Sequence, residues 1–138
     1  MQGFPAEILA QDVNGDGKPD LVINLGIAIA VLIGKGDGTF ANAVRSEGPP
    51  PAAGTYNAIA LGDFDGDGKI DVVARAGRSL LLFPGNGDGT LRSPVTIGIN
   101  AQGVSLSALD WNQDGRSDLI GLNPQSGTVS VYVDSVIN

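Results

Sequence analysis

A chain of 138 residues is long enough for one domain with a real core, and this one carries a formal charge of −7 with no cysteine and no histidine. Those absences remove disulfides, zinc–thiolate sites, thiol nucleophiles and the imidazole base, so a catalytic role is disfavoured and no catalytic residue is expected. Eight Lys and Arg that form no cluster argue in the same way against a nucleic-acid partner.

The opening Met1-Gln-Gly-Phe-Pro5 lacks the basic start and apolar stretch of a signal peptide. An apolar segment, Ala6 to Ala10, then leads into a nine-residue acidic loop, Asp12-Val-Asn-Gly-Asp-Gly-Lys-Pro-Asp20. Leu21 to Asn24 and Ala28 to Ile33 follow as further short runs of Val, Ile and Leu bounded by Gly and Asp, a strand signature. Gly26 and the missing polar face argue against one helix over Leu21 to Ile33, and the run falls short of the roughly 20 residues a membrane span needs. Gly34-Lys-Gly-Asp-Gly-Thr-Phe40 reads as a hairpin turn into a fourth strand at Ala41 to Arg45. Arg45 to Thr55, with Pro49, Pro50 and Pro51, reads as an exposed connector.

The same order then returns. Tyr56 to Leu61, the loop Asp63-Phe-Asp-Gly-Asp-Gly-Lys-Ile-Asp71, Ile70 to Arg75, Leu80 to Phe83, the turn Gly85-Asn-Gly-Asp-Gly-Thr-Leu91 and Pro94 to Ile99 repeat the first set at a spacing of 51 residues. A third copy begins with Val104 to Leu109, the loop Asp110-Trp-Asn-Gln-Asp-Gly-Arg-Ser-Asp118, Leu119 to Leu122 and Val129 to Val133, 47 residues on. It stops at Asp134-Ser-Val-Ile-Asn138, before a second turn and fourth strand. The repeats therefore span approximately 5–48, 55–99 and 103–138 of a single segment with eleven strands. Several strands are apolar throughout, which suits sheets covered on both faces.

Each acidic loop places Asp or Asn at positions 1, 3, 5 and 9, Gly at 6, and an ordinary residue at 7. A hard cation such as Ca²⁺ takes six to eight oxygens, and alternate carboxylates and carboxamides with one backbone carbonyl supply them. The candidate ligands are Asp12, Asn14, Asp16, Asp20 and the Lys18 carbonyl; Asp63, Asp65, Asp67, Asp71 and the Lys69 carbonyl; Asp110, Asn112, Asp114, Asp118 and the Arg116 carbonyl. Plain Asx-rich turns are the alternative, but a turn needs two or three such residues and not a nine-residue pattern three times over. An EF-hand is excluded because position 12 is Ile23, Ala74 or Gly121 where a bidentate Glu is required. Ten of the 15 acidic residues lie in these loops, so up to three calcium ions would nearly neutralise the chain. The four-carboxylate second loop is expected to bind most tightly, and chelation to lower stability.

The two markers, Asp-Phe-Asp-Gly-Asp-Gly-Lys-Ile-Asp71 followed by Val-Val-Ala74 and the downstream Gly-Asn-Gly-Asp-Gly-Thr90, resemble the FG-GAP/VCBS repeats of integrin α-chain propellers and of many secreted or surface proteins. The Phe-Gly and Gly-Ala-Pro signatures of the family name are poorly represented, so the likeness is to the bacterial type. The resemblance implies an all-β fold of β-propeller blades, each a four-stranded antiparallel sheet with its calcium loop between the first two strands, the third blade incomplete. It also implies a secreted or cell-surface setting and a calcium-binding module for binding or adhesion. Propellers close with four to eight blades, so either the chain is a piece of a longer protein or identical copies join to close a ring, and of the two a homodimer closing a six-bladed ring is the expected assembly. A lectin with inter-blade sugar sites is an alternative, for which Trp111, Tyr56 and Tyr132 are the aromatic candidates. Position 2 of the loops, however, is apolar in every copy (Val13, Phe64, Trp111), which points to packing between blades. A structural propeller fragment, natural or engineered, that assembles into a ring is the other alternative.

Overall fold

The computed structural model describes residues 7–49, 55–98 and 105–132. They form eleven strands: β1 (Glu7–Gln11), β2 (Asp20–Asn24), β3 (Ala28–Leu32), β4 (Val44–Glu47), β5 (Tyr56–Gly62), β6 (Asp71–Ala76), β7 (Ser79–Phe83), β8 (Val95–Gly98), β9 (Ser105–Leu109), β10 (Asp118–Asn123) and β11 (Thr128–Tyr132). Sequential antiparallel pairing arranges them as three sheets, β1-β2-β3-β4, β5-β6-β7-β8 and β9-β10-β11. The expected strand ends at Ala6, Ile99, Val104 and Val133 lie outside the described residues, as do residues 50–54 of the proline-rich connector and the tail from Asp134. No helix among the described residues is long and apolar enough to cross a membrane.

The run from Leu21 to Ile33 divides into β2 and β3 around Gly26, whose φ of 81° lies in the left-handed region that a side chain resists. Buried Asn24 ties that corner down: its Oδ1 accepts the Gly26 NH at 2.8 Å, and its Nδ2 donates to the Tyr56 carbonyl of the next sheet at 3.1 Å. The fourth strand starts later than expected, at Val44. The residues before it belong to a closed turn, in which Gly34 bridges to Phe40 and the Ala41 NH donates to the Ile33 carbonyl at 2.8 Å.

The sheets stack face to face, and alternation within each strand decides which neighbour a side chain meets. Val13, Val22, Ile29 and Val31 of the first sheet pack on Tyr56, Ile59, Val72 and Phe83 of the second. Phe64, Val73, Leu80 and Leu82 on the second sheet's other face pack on Leu119, with Leu106, Ala108 and Tyr132 beside it. The second sheet is thus covered on both sides, which is why β6 and β7 are apolar almost throughout. Each fully buried Leu, Ile or Phe contributes about 1.5–3 kcal/mol, so these two seams hold the stack together. The first strands of the three sheets adjoin one another, and Leu9, Ala60, Leu61 and Leu106 line a shared groove of about 220 Å³. Glu7 also crosses the first seam, its Oε2 accepting the Ile59 NH at 2.8 Å.

Candidate metal-binding loops

Each acidic loop joins the first two strands of its sheet and is wired the same way. The position-1 carboxylate takes the position-6 NH: Asp12 from Gly17 at 2.7 Å, Asp63 from Gly68 at 2.9 Å, and Asp110 from Gly115 at 3.0 Å. Position 3 takes the NH of position 5, and position 5 that of position 7, so Asn14, Asp65 and Asn112 and then Asp16, Asp67 and Asp114 form successive Asx turns. The Gly17 NH, together with those of Gly15 and Asp16, holds the Asp12 carboxyl below the usual carboxylate range. Position 4 is left-handed as well as position 6, with Gly15 and Gly66 in two loops and Gln113 at φ 61° in the third. Gln113 is the one described residue other than glycine held there.

Position 9 behaves differently from the other three. Asp20, Asp71 and Asp118 are buried and each accepts the NH of position 2, from Val13, Phe64 and Trp111 at 2.8–3.0 Å. The second oxygen of Asp20 takes the Gly34 NH, and that of Asp71 the Gly85 NH, both at 2.8 Å. The two sequence markers are therefore one device: the carboxylate that closes the loop also anchors the first glycine of the downstream turn. A Cβ on Gly34 would lie 2.0 Å from the Pro19 carbonyl oxygen, and one on Gly85 2.1 Å from that of Ile70, so only glycine fits. Within the turns, the Thr39 and Thr90 hydroxyls, joined by their own NH groups, keep Asp37 and Asp88 below the ordinary carboxylate range.

The donor set suits a hard cation best at the second loop. Asp63, Asp65 and Asp71 each bring one carboxylate oxygen to within 4.8 Å of the others. The first and third loops carry Asn14 and Asn112 at position 3, so this convergence of three carboxylates occurs only at the second loop among the described residues. Burial raises the Asp71 pKa, against the hydrogen bonds from Gly85 and Phe64, which lower it, and the nearby Asp65 charge adds to the rise. Two cations already attend this loop. Lys69 Nζ lies 3.3 Å from Asp67, and Arg92 reaches Asp65 at 3.3 Å and Asp67 at 3.6 Å. Arg92 escaped the sequence reading because it lies 27 residues from Asp65; its one visible signal is that Ala41 stands at the corresponding place in the first repeat.

The aromatic candidates for sugar stacking do not come together. Tyr56 is buried with its ring edge-on to Phe83 at 6.0 Å, so it presents no face to a ligand, a correction to the sequence reading. Tyr132 is half-buried in the second seam. Trp111 alone is exposed, at 60%.

The FG-GAP-like repeat pattern matches residues 12–74 and again 71–121 of this chain. Among solved structures, a chain in the crystal structure of TcdB2-TccC3-Cdc42 is similar over 82% of this chain, with 22% identity and a TM-score of 0.62. A chain in the crystal structure of TcdB2-TccC3-TEV is similar over 79%, with 23% identity and a TM-score of 0.57. This chain spans only 6% and 5% of the length of those two, and at such identity the likeness is one of fold. No curated protein sequence matches it.

Proposed function

This chain belongs to the FG-GAP-like repeat family, and from that premise we propose that it is a non-catalytic calcium-binding β-propeller module whose metal ions are structural. The observation that carries this reading is the convergence of Asp63, Asp65 and Asp71 in a loop whose wiring recurs in all three repeats. The cation would be held by the side chains at positions 1, 3, 5 and 9 and the position-7 carbonyl of each loop, and would supply fixed positive charge and no reaction. A position-9 carboxylate that also anchors the downstream turn would pass that rigidity to the rest of the blade. Sites of this kind in extracellular modules bind as weakly as roughly 10⁻⁴–10⁻³ M. That range fits a secreted or cell-surface protein that presents blade surfaces for binding or adhesion. Two copies would close the ring at six blades. A glycan ligand is the weaker reading, since one exposed aromatic remains where three were candidates.

Titration calorimetry of wild type and Arg92→Ala tests the metal reading. Calcium entering the second loop must compete with Arg92 for Asp65 and Asp67, and an exposed pair of this kind is worth about 1 kcal/mol or less. Arg92→Ala is therefore expected to tighten one class of sites by roughly threefold to fivefold and leave the rest unchanged. Heats of dilution alone for both proteins at millimolar calcium would sink the proposal.

A further inference from the structure

The three loops are wired alike within themselves, but they are not joined alike to one another. Across the second seam, the Ser117 NH at position 8 of the third loop donates to the Asp63 carbonyl at position 1 of the second, at 2.7 Å. Beside that bond Arg116 lies over Gly66, where a Cβ would stand 2.9 Å from the Arg116 Nε. Across the first seam, no backbone bond joins the first loop to the second among the described residues. Gly15, the counterpart of Gly66, has nothing within 4 Å of where a Cβ would be. Lys69, the counterpart of Arg116, packs instead on Gly87 of its own repeat.

Side-chain size at one pair of positions accounts for the difference. Gly62 precedes the second loop and faces Ser117 so closely that a Cβ on it would lie 2.5 Å from Ser117 Oγ and 2.6 Å from Ser117 Cβ. The corresponding pair at the first seam is Gln11 and Ile70, both larger, and Ile70 packs into that apolar seam. Glycine and serine thus let the third loop approach until its backbone bonds the second.

Both ends of that bond belong to candidate metal loops. The Asp63 carboxylate is a candidate ligand, and its carbonyl is the acceptor. Ser117 stands between Arg116, whose carbonyl is a candidate ligand, and Asp118. Fixing Asp63 therefore fixes the acceptor that positions Ser117, and order gained at one loop need not be gained again at the other. We propose that the second and third loops take up metal with positive cooperativity through the Ser117–Asp63 bond, and that the first loop binds independently. This rests on the metal reading above and makes Ser117 and Gly62 positioning residues. Linkage makes the effect reciprocal between the two loops.

Terbium(III), a hard cation in place of calcium, tests this, because Trp111, the sole tryptophan, sits in the third loop and sensitises an ion bound there. Asp114→Ala should abolish the sensitised emission, which assigns it to the third loop. Asp65→Ala, which cripples the second loop, should raise the terbium midpoint read at Trp111 by about threefold to tenfold, the range one hydrogen bond supports. Asp16→Ala, the same loss in the first loop, should leave that midpoint within about twofold of wild type. Ser117→Pro deletes the NH donor at a position where the first loop already carries Pro19. It should raise the midpoint as Asp65→Ala does, and adding Asp65→Ala to it should shift the midpoint no further. Equal shifts from Asp65→Ala and Asp16→Ala would overturn the coupling and leave the metal reading standing. So would a tighter third loop in Asp65→Ala, the mark of plain repulsion between ions. No sensitised emission from wild type at millimolar terbium would overturn both.

Discussion

Replacing Gly85 with alanine is expected to lower stability by about 3 kcal/mol or more, or roughly 10 °C in Tm. The added Cβ would sit 2.1 Å from the Ile70 carbonyl oxygen and 3.0 Å from its carbon, both backbone atoms that no rotamer change can move aside. Relief requires the turn to withdraw from the acidic loop, and withdrawal breaks the 2.8 Å bond from the Gly85 NH to Asp71. Gly34→Ala should behave alike, since its Cβ would meet the Pro19 oxygen at 2.0 Å. Gly38→Ala is the control: a Cβ there meets nothing within 4 Å, so only the φ of 87° resists it, at about 1–2 kcal/mol. Thermal unfolding of the three variants in excess chelator checks the order. Equal losses at Gly38 and Gly85 would mean that the close approach is not what fixes the turn.

Asp71→Ala should be comparably severe, and should remain so without metal. It strips buried acceptors from the Phe64 and Gly85 NH groups, each costing about 1–3 kcal/mol when left unpaired. Asp71→Asn keeps one acceptor but turns an amide donor toward the other NH, so it should recover only part of the loss. Asp65→Ala removes a less buried acceptor of a single loop NH and should cost under about 1 kcal/mol in chelator, its larger effect appearing with calcium. Denaturant unfolding in chelator separates the two roles: similar losses for Asp65→Ala and Asp71→Ala would remove the structural distinction between positions 3 and 9. The sign of the Asp71 pH dependence follows from its raised pKa. Its contribution is fully present below the unfolded-state value and is lost as pH rises through the folded one.

The eleven strands were legible because each is a short apolar run cut off by Gly, Asp or Pro, and those boundaries are local chemistry. The start of β4 was not legible. Ala41 looks like strand, but its NH is drawn back to the Ile33 carbonyl by a turn closed between Gly34 and Phe40. The repeated acidic pattern named every candidate ligand, yet hid the second task of Asp20 and Asp71. Their bonds to Gly34 and Gly85 span 14 residues in both repeats, and a constant spacing of the two markers does not say that one bonds the other. Arg92 was invisible for the same reason, since only the folded turn brings it to Asp65. Trp111 shows a different limit. Val13, Phe64 and Trp111 are equivalent by pattern, and packing between blades is the natural reading of all three. What separates them is place in the stack, which repetition in the sequence conceals.

Thermal unfolding in millimolar calcium and again in excess chelator tests the structural role of the metal most directly. With a Kd of roughly 10⁻⁴–10⁻³ M, about 10 mM calcium stands at ten to a hundredfold Kd and adds about 1.4–2.7 kcal/mol per site, so filling even one should raise Tm by roughly 4–8 °C, and magnesium at the same concentration should do much less. Superimposable curves with calcium and with chelator would contradict the account, and would leave the acidic loops as self-sufficient Asx turns.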